Sequence, residues 1–174
     1  MTKSLILMRH LKSEIDARSG SDHDRALSER GRSDAKPIRD ALLARCPPPQ
    51  TVLCSTARRT RETLEAVGEL FPGAEIIFAD AIYNASAEAL MRITATIDDA
   101  AACALIIGHN PGIFDFAWTL ARRSEISGNP AFTKFPTGAV AAFALPIDAW
   151  SEIGTGRGSI IAAFTPKSLV KAES

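Results

Sequence analysis

Short apolar runs punctuate the chain at Ser4–Arg9, Thr51–Cys54, Glu75–Phe78, Cys103–Gly108, Ala139–Leu145 and Ser159–Phe164. Flanked by Pro, Gly or polar turn residues, such runs predict strands, and several are too continuously apolar for a sheet wet on one face. The segments between them carry helical spacing. Ala35, Ile38 and Leu42 share one face, as do Thr60, Leu64, Val67 and Phe71, and then Ile113, Phe116, Ala117 and Leu120. For the last of these, Asn110 is the expected N-cap, Pro111 the first helical residue, and Arg122 and Arg123 sit at the C-terminal end that favours cations. Pro37 must lie in a first turn or kink its helix.

Strands alternating with helices imply an α/β fold: a three-layer sandwich with a mostly parallel central sheet and helices on both faces. The last two strands lack a helix between them, which predicts an antiparallel edge. Residues 15–25 and 124–136 read as loops, and Lys167–Ser174 as a frayed tail. There is no repeat and no low-complexity linker, so one domain over residues 1–174 is expected.

The 20 basic and 20 acidic residues cancel, so no global field favours nucleic acid or a membrane surface. The apolar core Leu5–Met8 is too short for a signal peptide or a membrane span. Cys46, Cys54 and Cys103 have no metal-type spacing and fit reduced thiols in a cytoplasmic protein.

Three of the predicted strands end in chemistry. Arg9-His10 leaves the first, Ser55-Thr56-Ala57-Arg58-Arg59 the second and Gly108-His109 the fourth. Open α/β folds place ligands at the carboxyl ends of strands. An imidazole with one free nitrogen is a competent nucleophile toward phosphorus, and a neighbouring guanidinium binds phosphate oxygens. Arg58, Arg59 and Arg61 lie in the first turn of a helix, where cations are misplaced unless an anion is bound there. Glu62 and Glu65 could equally make that face an ordinary solvated one. His109, ahead of a helix start, can donate to an oxyanion or can be a plain turn residue. His23, between Asp22 and Asp24, reads as exposed, and a metal site of His10, His23 and His109 has no supporting spacing. Lys12, Ser13 and Thr137-Gly138 either add hydrogen bonds at the site mouth or serve turns. Cys54 reads as core packing.

These pieces together resemble the histidine phosphatase superfamily, also called the phosphoglycerate-mutase-like fold. The resemblance rests on Arg9-His10, on Ser55-x-x-x-Arg59-x-x-x-Thr63 and on Gly108-His109. It is finer toward short bacterial phosphohistidine phosphatases of the SixA type, through Arg9-His10-Leu11-Lys12-Ser13, Asp24-Arg25-Ala26-Leu27-Ser28-Glu29-Arg30-Gly31, Ile82-Tyr83-Asn84-Ala85, Gly108-His109-Asn110-Pro111-Gly112 and Phe135-Pro136-Thr137-Gly138-Ala139. The resemblance implies that His10 is the nucleophile, that Arg9, Arg59 and His109 grip the phosphoryl oxygens, and that neither metal nor other cofactor is needed. It also selects Arg59 over Arg58. Three departures stand out: Leu11 follows the Arg-His pair where a small residue is usual, Thr56 stands where Pro is commoner, and no long insertion between residues 78 and 103 supplies a general acid. Asp80 is the nearest candidate acid.

The expectation is therefore a metal-independent cytoplasmic phosphatase working through a covalent phosphohistidine. Its favoured partner is a phosphorylated protein such as a histidine-phosphotransfer domain. A small-molecule phosphomonoesterase, or a phosphate- or protein-binding module that retains the fold without turnover, are the alternatives. Nothing in the residues fixes the oligomeric state.

Overall fold

The structure, a computed structural model, describes residues 2–68, 71–121, 129, 131–155 and 157–172. All six expected strands form, within a residue or two of the expected limits: β1 (Lys3–Arg9), β2 (Thr51–Ser55), β3 (Glu75–Ala79), β4 (Cys103–Gly108), β5 (Val140–Leu145) and β6 (Ser159–Phe164). They make one sheet in the order β3-β2-β4-β1-β5-β6. The pairs β2–β3, β2–β4 and β1–β4 are parallel, while β5 runs antiparallel to β1 and to β6. The antiparallel edge falls where a helix-free connection demands it, because a parallel return needs a crossover.

Helices cover both faces: α1 (Glu29–Arg45), α2 (Arg58–Gly68), α3 (Ala87–Thr94), α4 (Gly112–Leu120), a short α5 (Ala131–Lys134) and α6 (Pro166–Ala172). Strand side chains alternate between the faces. Leu5, Leu7, Ala104 and Ile106 therefore pack with Leu90 of α3 and Ile113, Phe116 and Leu120 of α4. Ile6, Met8, Leu105 and Ile107 turn the other way, onto Ile38 and Leu42 of α1 and Leu64 and Val67 of α2. These strand residues are at most 1% exposed; burying each large aliphatic side chain contributes roughly 1.5–3 kcal/mol. A chain buried on both faces explains the unbroken apolar runs.

Three local expectations are corrected. Helix α4 begins at Gly112 after Pro111, and Asn110 does not cap it; its Nδ2 instead donates to the carbonyls of Lys134 and Phe135, at 3.3 and 3.0 Å. Pro37 lies in the interior of α1 rather than its first turn. The tail does not fray throughout: α6 forms, and Leu169 is buried against the α1 face. Arg122, Arg123 and residues 124–128 and 130 of the loop expected over 124–136 lie outside the described residues, and within that expected loop α5 forms at Ala131–Lys134. No helix among the described residues is long and apolar enough to cross a membrane.

Candidate active site

The sheet register brings two of the singled-out residues side by side. Arg9 pairs with Gly108 across the parallel β1–β4 ladder, so His10 and His109 leave adjacent strand tips together. Their ring centroids lie 5.3 Å apart. The His10 amide donates to the Gly108 carbonyl at 3.1 Å, and Gly138 N–H closes on the His10 carbonyl at 2.9 Å. Gly138 has φ +75°, and a Cβ there would press on Pro166 and Leu11, so glycine suits this clasp on both counts.

His10 is held in one tautomer. Its Nδ1 lies 2.7 Å from the Leu11 carbonyl oxygen. A carbonyl only accepts, so Nδ1 carries the proton and Nε2 keeps its lone pair. The ring is 6% exposed. Desolvation is the main reason its pKa falls to about 3; the Leu11 hydrogen bond opposes this, while His109, Arg59 and Arg9 add to it. At neutral pH the ring is uncharged, as a nucleophile must be.

His109 is a neutral imidazole for the same reasons: burial, then the charge of Arg59, lower its pKa to about 3. Its Nε2 lies 2.8 Å from Ser55 Oγ, at the tip of β2. Its Nδ1 is a buried nitrogen without a partner among the described residues, and it carries the proton in the tautomer in which the Ser55 hydroxyl donates to Nε2. Arg9 Nε is a buried donor without a partner among the described residues, while its Nη1 donates to the Phe135 carbonyl at 3.1 Å. Phe135 itself has φ +44°, a costly conformation for a bulky residue, and its carbonyl serves both Arg9 and Asn110. Buried polar nitrogens without partners beside a neutral imidazole suit a group rich in oxygens.

The spacing of Ser55, Arg59 and Thr63 has a mechanical basis. Thr63 Oγ1 donates to the Arg59 carbonyl at 2.6 Å, one turn back, and accepts the Leu11 amide at 3.0 Å. It thereby locks the first turns of α2 to the chain just after His10. Arg59 is 4% exposed and Arg58 is exposed. The charge of Arg59, with that of Arg9, reaches both imidazoles. Arg58 turns outward to Glu62, 2.7 Å away, and Arg61 lies over the Phe78 ring; both belong to a solvated face.

The other candidates separate. Lys12 is exposed and contributes its backbone carbonyl to Ser28, which caps α1. Ser13 Oγ accepts from Arg25 at 2.8 Å. Asp80 is exposed, and its Oδ1 accepts from Thr56 Oγ1 at 2.5 Å. Thr56, in the position where the resemblance leads one to expect proline, uses its hydroxyl here and toward His23 Nε2 at 3.1 Å. His23, expected to be exposed, is half-buried with its ring edge-on to Tyr83 at 5.0 Å. Leu11 is wholly buried, which accounts for a large residue after His10. Among the described residues no cluster of three or more His, Cys, Asp or Glu side chains is arranged to hold a metal ion.

Two residues assigned no role from the sequence also line the site. Tyr83, the one tyrosine of the chain, meets His109 edge-on at 5.5 Å and lies under the Arg59 guanidinium. Asp22 takes hydrogen bonds from Tyr83, Arg25 and Arg59, which, Tyr83 foremost, hold its carboxyl far below the ordinary carboxylate range. A solitary tyrosine beside a Gly- and Pro-poor turn was a usable signal. An aspartate in a polar loop was not.

The family model described as the histidine phosphatase superfamily (branch 1) matches residues 5–100. An uncharacterised protein of Mycobacterium tuberculosis is 31% identical over 166 residues, covering 92% of this chain and all of that one. The solved structure of a SixA protein from Nakamurella multipartitia, provisionally assigned as a phosphohistidine phosphatase, has 28% identity and a TM-score of 0.83, covering 95% of this chain and 97% of its own. The protein histidine phosphatase SixA complexed with tungstate shares the fold at TM-score 0.74 with 22% identity, over 95% of this chain and 99% of that one.

Proposed function

The chain belongs to the histidine phosphatase superfamily and is a phosphatase, and from that premise we propose that it removes phosphoryl groups from phosphohistidine on a protein, by way of a covalent phosphohistidine at His10. The observation that carries the reading is the fixed tautomer of His10: a proton committed to Leu11, a free Nε2, and a second neutral imidazole 5.3 Å away. Nε2 attacks phosphorus in line with the leaving group, while Arg9, Arg59 and His109 hold the equatorial oxygens. Water then attacks the phosphorus, releasing orthophosphate and restoring His10. The reaction uses no metal.

The choice of substrate follows from the carboxylates. Alkyl phosphates need a proton delivered to the departing alkoxide, whereas a protonated imidazole leaves readily. Asp22 is ionised and engaged with three donors, so it is no acid, and Asp80 is engaged with Thr56. The similarity to SixA proteins supports the same choice. The partner is thus a phosphorylated protein such as a histidine-phosphotransfer domain.

The test compares a phosphohistidine-bearing phosphotransfer domain with sugar and nucleotide phosphates, using the wild type and His10→Ala. The wild type should prefer the phosphoprotein in kcat/KM, and His10→Ala should neither turn over nor form an acid-labile phosphoenzyme. Preference for a small ester would reassign the substrate. Undiminished turnover by His10→Ala would refute the mechanism.

A further inference from the structure

The loop over residues 14–27 grips Arg59 through Asp22. Arg59 Nη1 donates to the Asp22 backbone carbonyl at 2.7 Å and Nη2 to its Oδ2 at 3.0 Å. The same Oδ2 accepts from Tyr83 Oη at 2.7 Å, and Oδ1 accepts from Arg25 Nη1 at 2.7 Å. Arg25 is anchored in turn by the Glu14 carbonyl and by Ser13 Oγ, on the segment that follows His10. Asp22 is therefore braced from two sides, by Tyr83 and Arg25, while it grips Arg59 at two points.

Arg59 needs such a brace. Its side chain is 5% exposed, and a long side chain with a buried charge is costly to hold unpaired. Arg9 repels it as well. A guanidinium has five N–H donors; Asp22 takes two of them and leaves the others for oxygens of a ligand. The charges bearing on His10 are Arg59, Arg9 and His109, whereas Asp22 is felt by His109.

We infer that Asp22 is a positioning residue: it fixes the Arg59 guanidinium, and with it the loop over 14–27, in the geometry that receives a phosphoryl group. The inference rests on the reading of Arg59 as an oxygen-binding residue given above. The opposite role, a built-in anion that a ligand must displace, predicts the opposite sign in binding.

Orthovanadate affinity by calorimetry and kcat/KM on the phosphoprotein are measured for wild type, Asp22→Ala, Arg59→Ala and the double variant. Asp22→Ala should weaken vanadate binding and lower kcat/KM, each about 10- to 100-fold, the size of a lost charge-assisted hydrogen bond. In the Arg59→Ala background the same change should do almost nothing, because its effect runs through that side chain. Tyr83→Phe keeps the ring and removes one donor to Oδ2, so it should shift both readouts in the same direction by less; it also carries the test if Asp22→Ala does not fold. Equal losses in both backgrounds, or tighter vanadate binding by Asp22→Ala, would overturn the inference. If turnover is normal and Asp22→Ala and Tyr83→Phe change neither readout, the positioning role falls and the phosphatase reading stands. If the wild type fails on phosphohistidine while vanadate binding shows the non-additive pattern, the substrate reading falls and Asp22 keeps its role.

Discussion

Lowering the pH from 7 to 5 tests how thoroughly the fold buries its two site imidazoles. His10 and His109 are 6% and 5% exposed, and desolvation chiefly holds each at a pKa of about 3. In the unfolded chain an imidazole titrates near 6.5. Between about pH 6.5 and pH 3 the unfolded state therefore binds protons that the folded state refuses, so stability rises with pH through that window and is lost as pH falls. At pH 5, about 1.5 units below the unfolded value, the loss is about 2 kcal/mol per imidazole and about 4 kcal/mol for the pair. Carboxylates of the unfolded chain titrate near 4 and add little above pH 5. For a chain of this length the shift corresponds to a fall in Tm of roughly 8–16 °C. Thermal unfolding of the wild type and of a His10→Asn/His109→Asn double variant at pH 7, 6 and 5 measures it. The wild type should show the slope and the double variant should lose most of it. Equal slopes in the two proteins would show that these rings are not held neutral by the fold.

Three further outcomes are expected. Arg59→Ala should lower kcat on the phosphoprotein by about 10²–10³, since it removes a donor to charge that develops in the transition state; steady-state kinetics checks this. Gly112→Ala would place a Cβ 1.8 Å from the Ala85 carbonyl oxygen, forcing α4 away from its neighbour and costing about 3 kcal/mol in urea unfolding. Incubation with EDTA followed by desalting should leave the phosphatase rate unchanged; loss of activity restored by a divalent cation would mean a metal takes part.

The strands and layers were readable because β1, β2, β4 and β5 are buried on both faces and form continuous apolar words, while the edge strands β3 and β6 keep apolar runs though partly exposed. The antiparallel edge was readable from the want of a helix between β5 and β6. What escaped depended on contacts distant in sequence. Asn110 has the composition of a cap, yet its amide is claimed by carbonyls more than twenty positions onward. His23 lies between aspartates like any solvated loop residue, and only the fold sets it against Tyr83 and Thr56. The two histidines and two arginines stand at strand ends and a helix start, where α/β geometry concentrates function. Asp22 stands in a loop, and no local pattern says that a loop carboxylate will meet an arginine 37 positions away.

β1 lies between β4 and β5, strands that follow it by about a hundred residues and more. At ribosomal rates of some 5–20 residues per second, Leu5–Met8 wait roughly 5–20 s for the first of those neighbours to be synthesised. The two imidazoles meet only when β4 pairs with β1, so a chain that ends before His109 holds no assembled pair. Recovery of turnover after dilution from denaturant should coincide with the last cooperative step of folding, and the hydrophobic word nearest the amino end is the stretch a chaperone would find longest unattended.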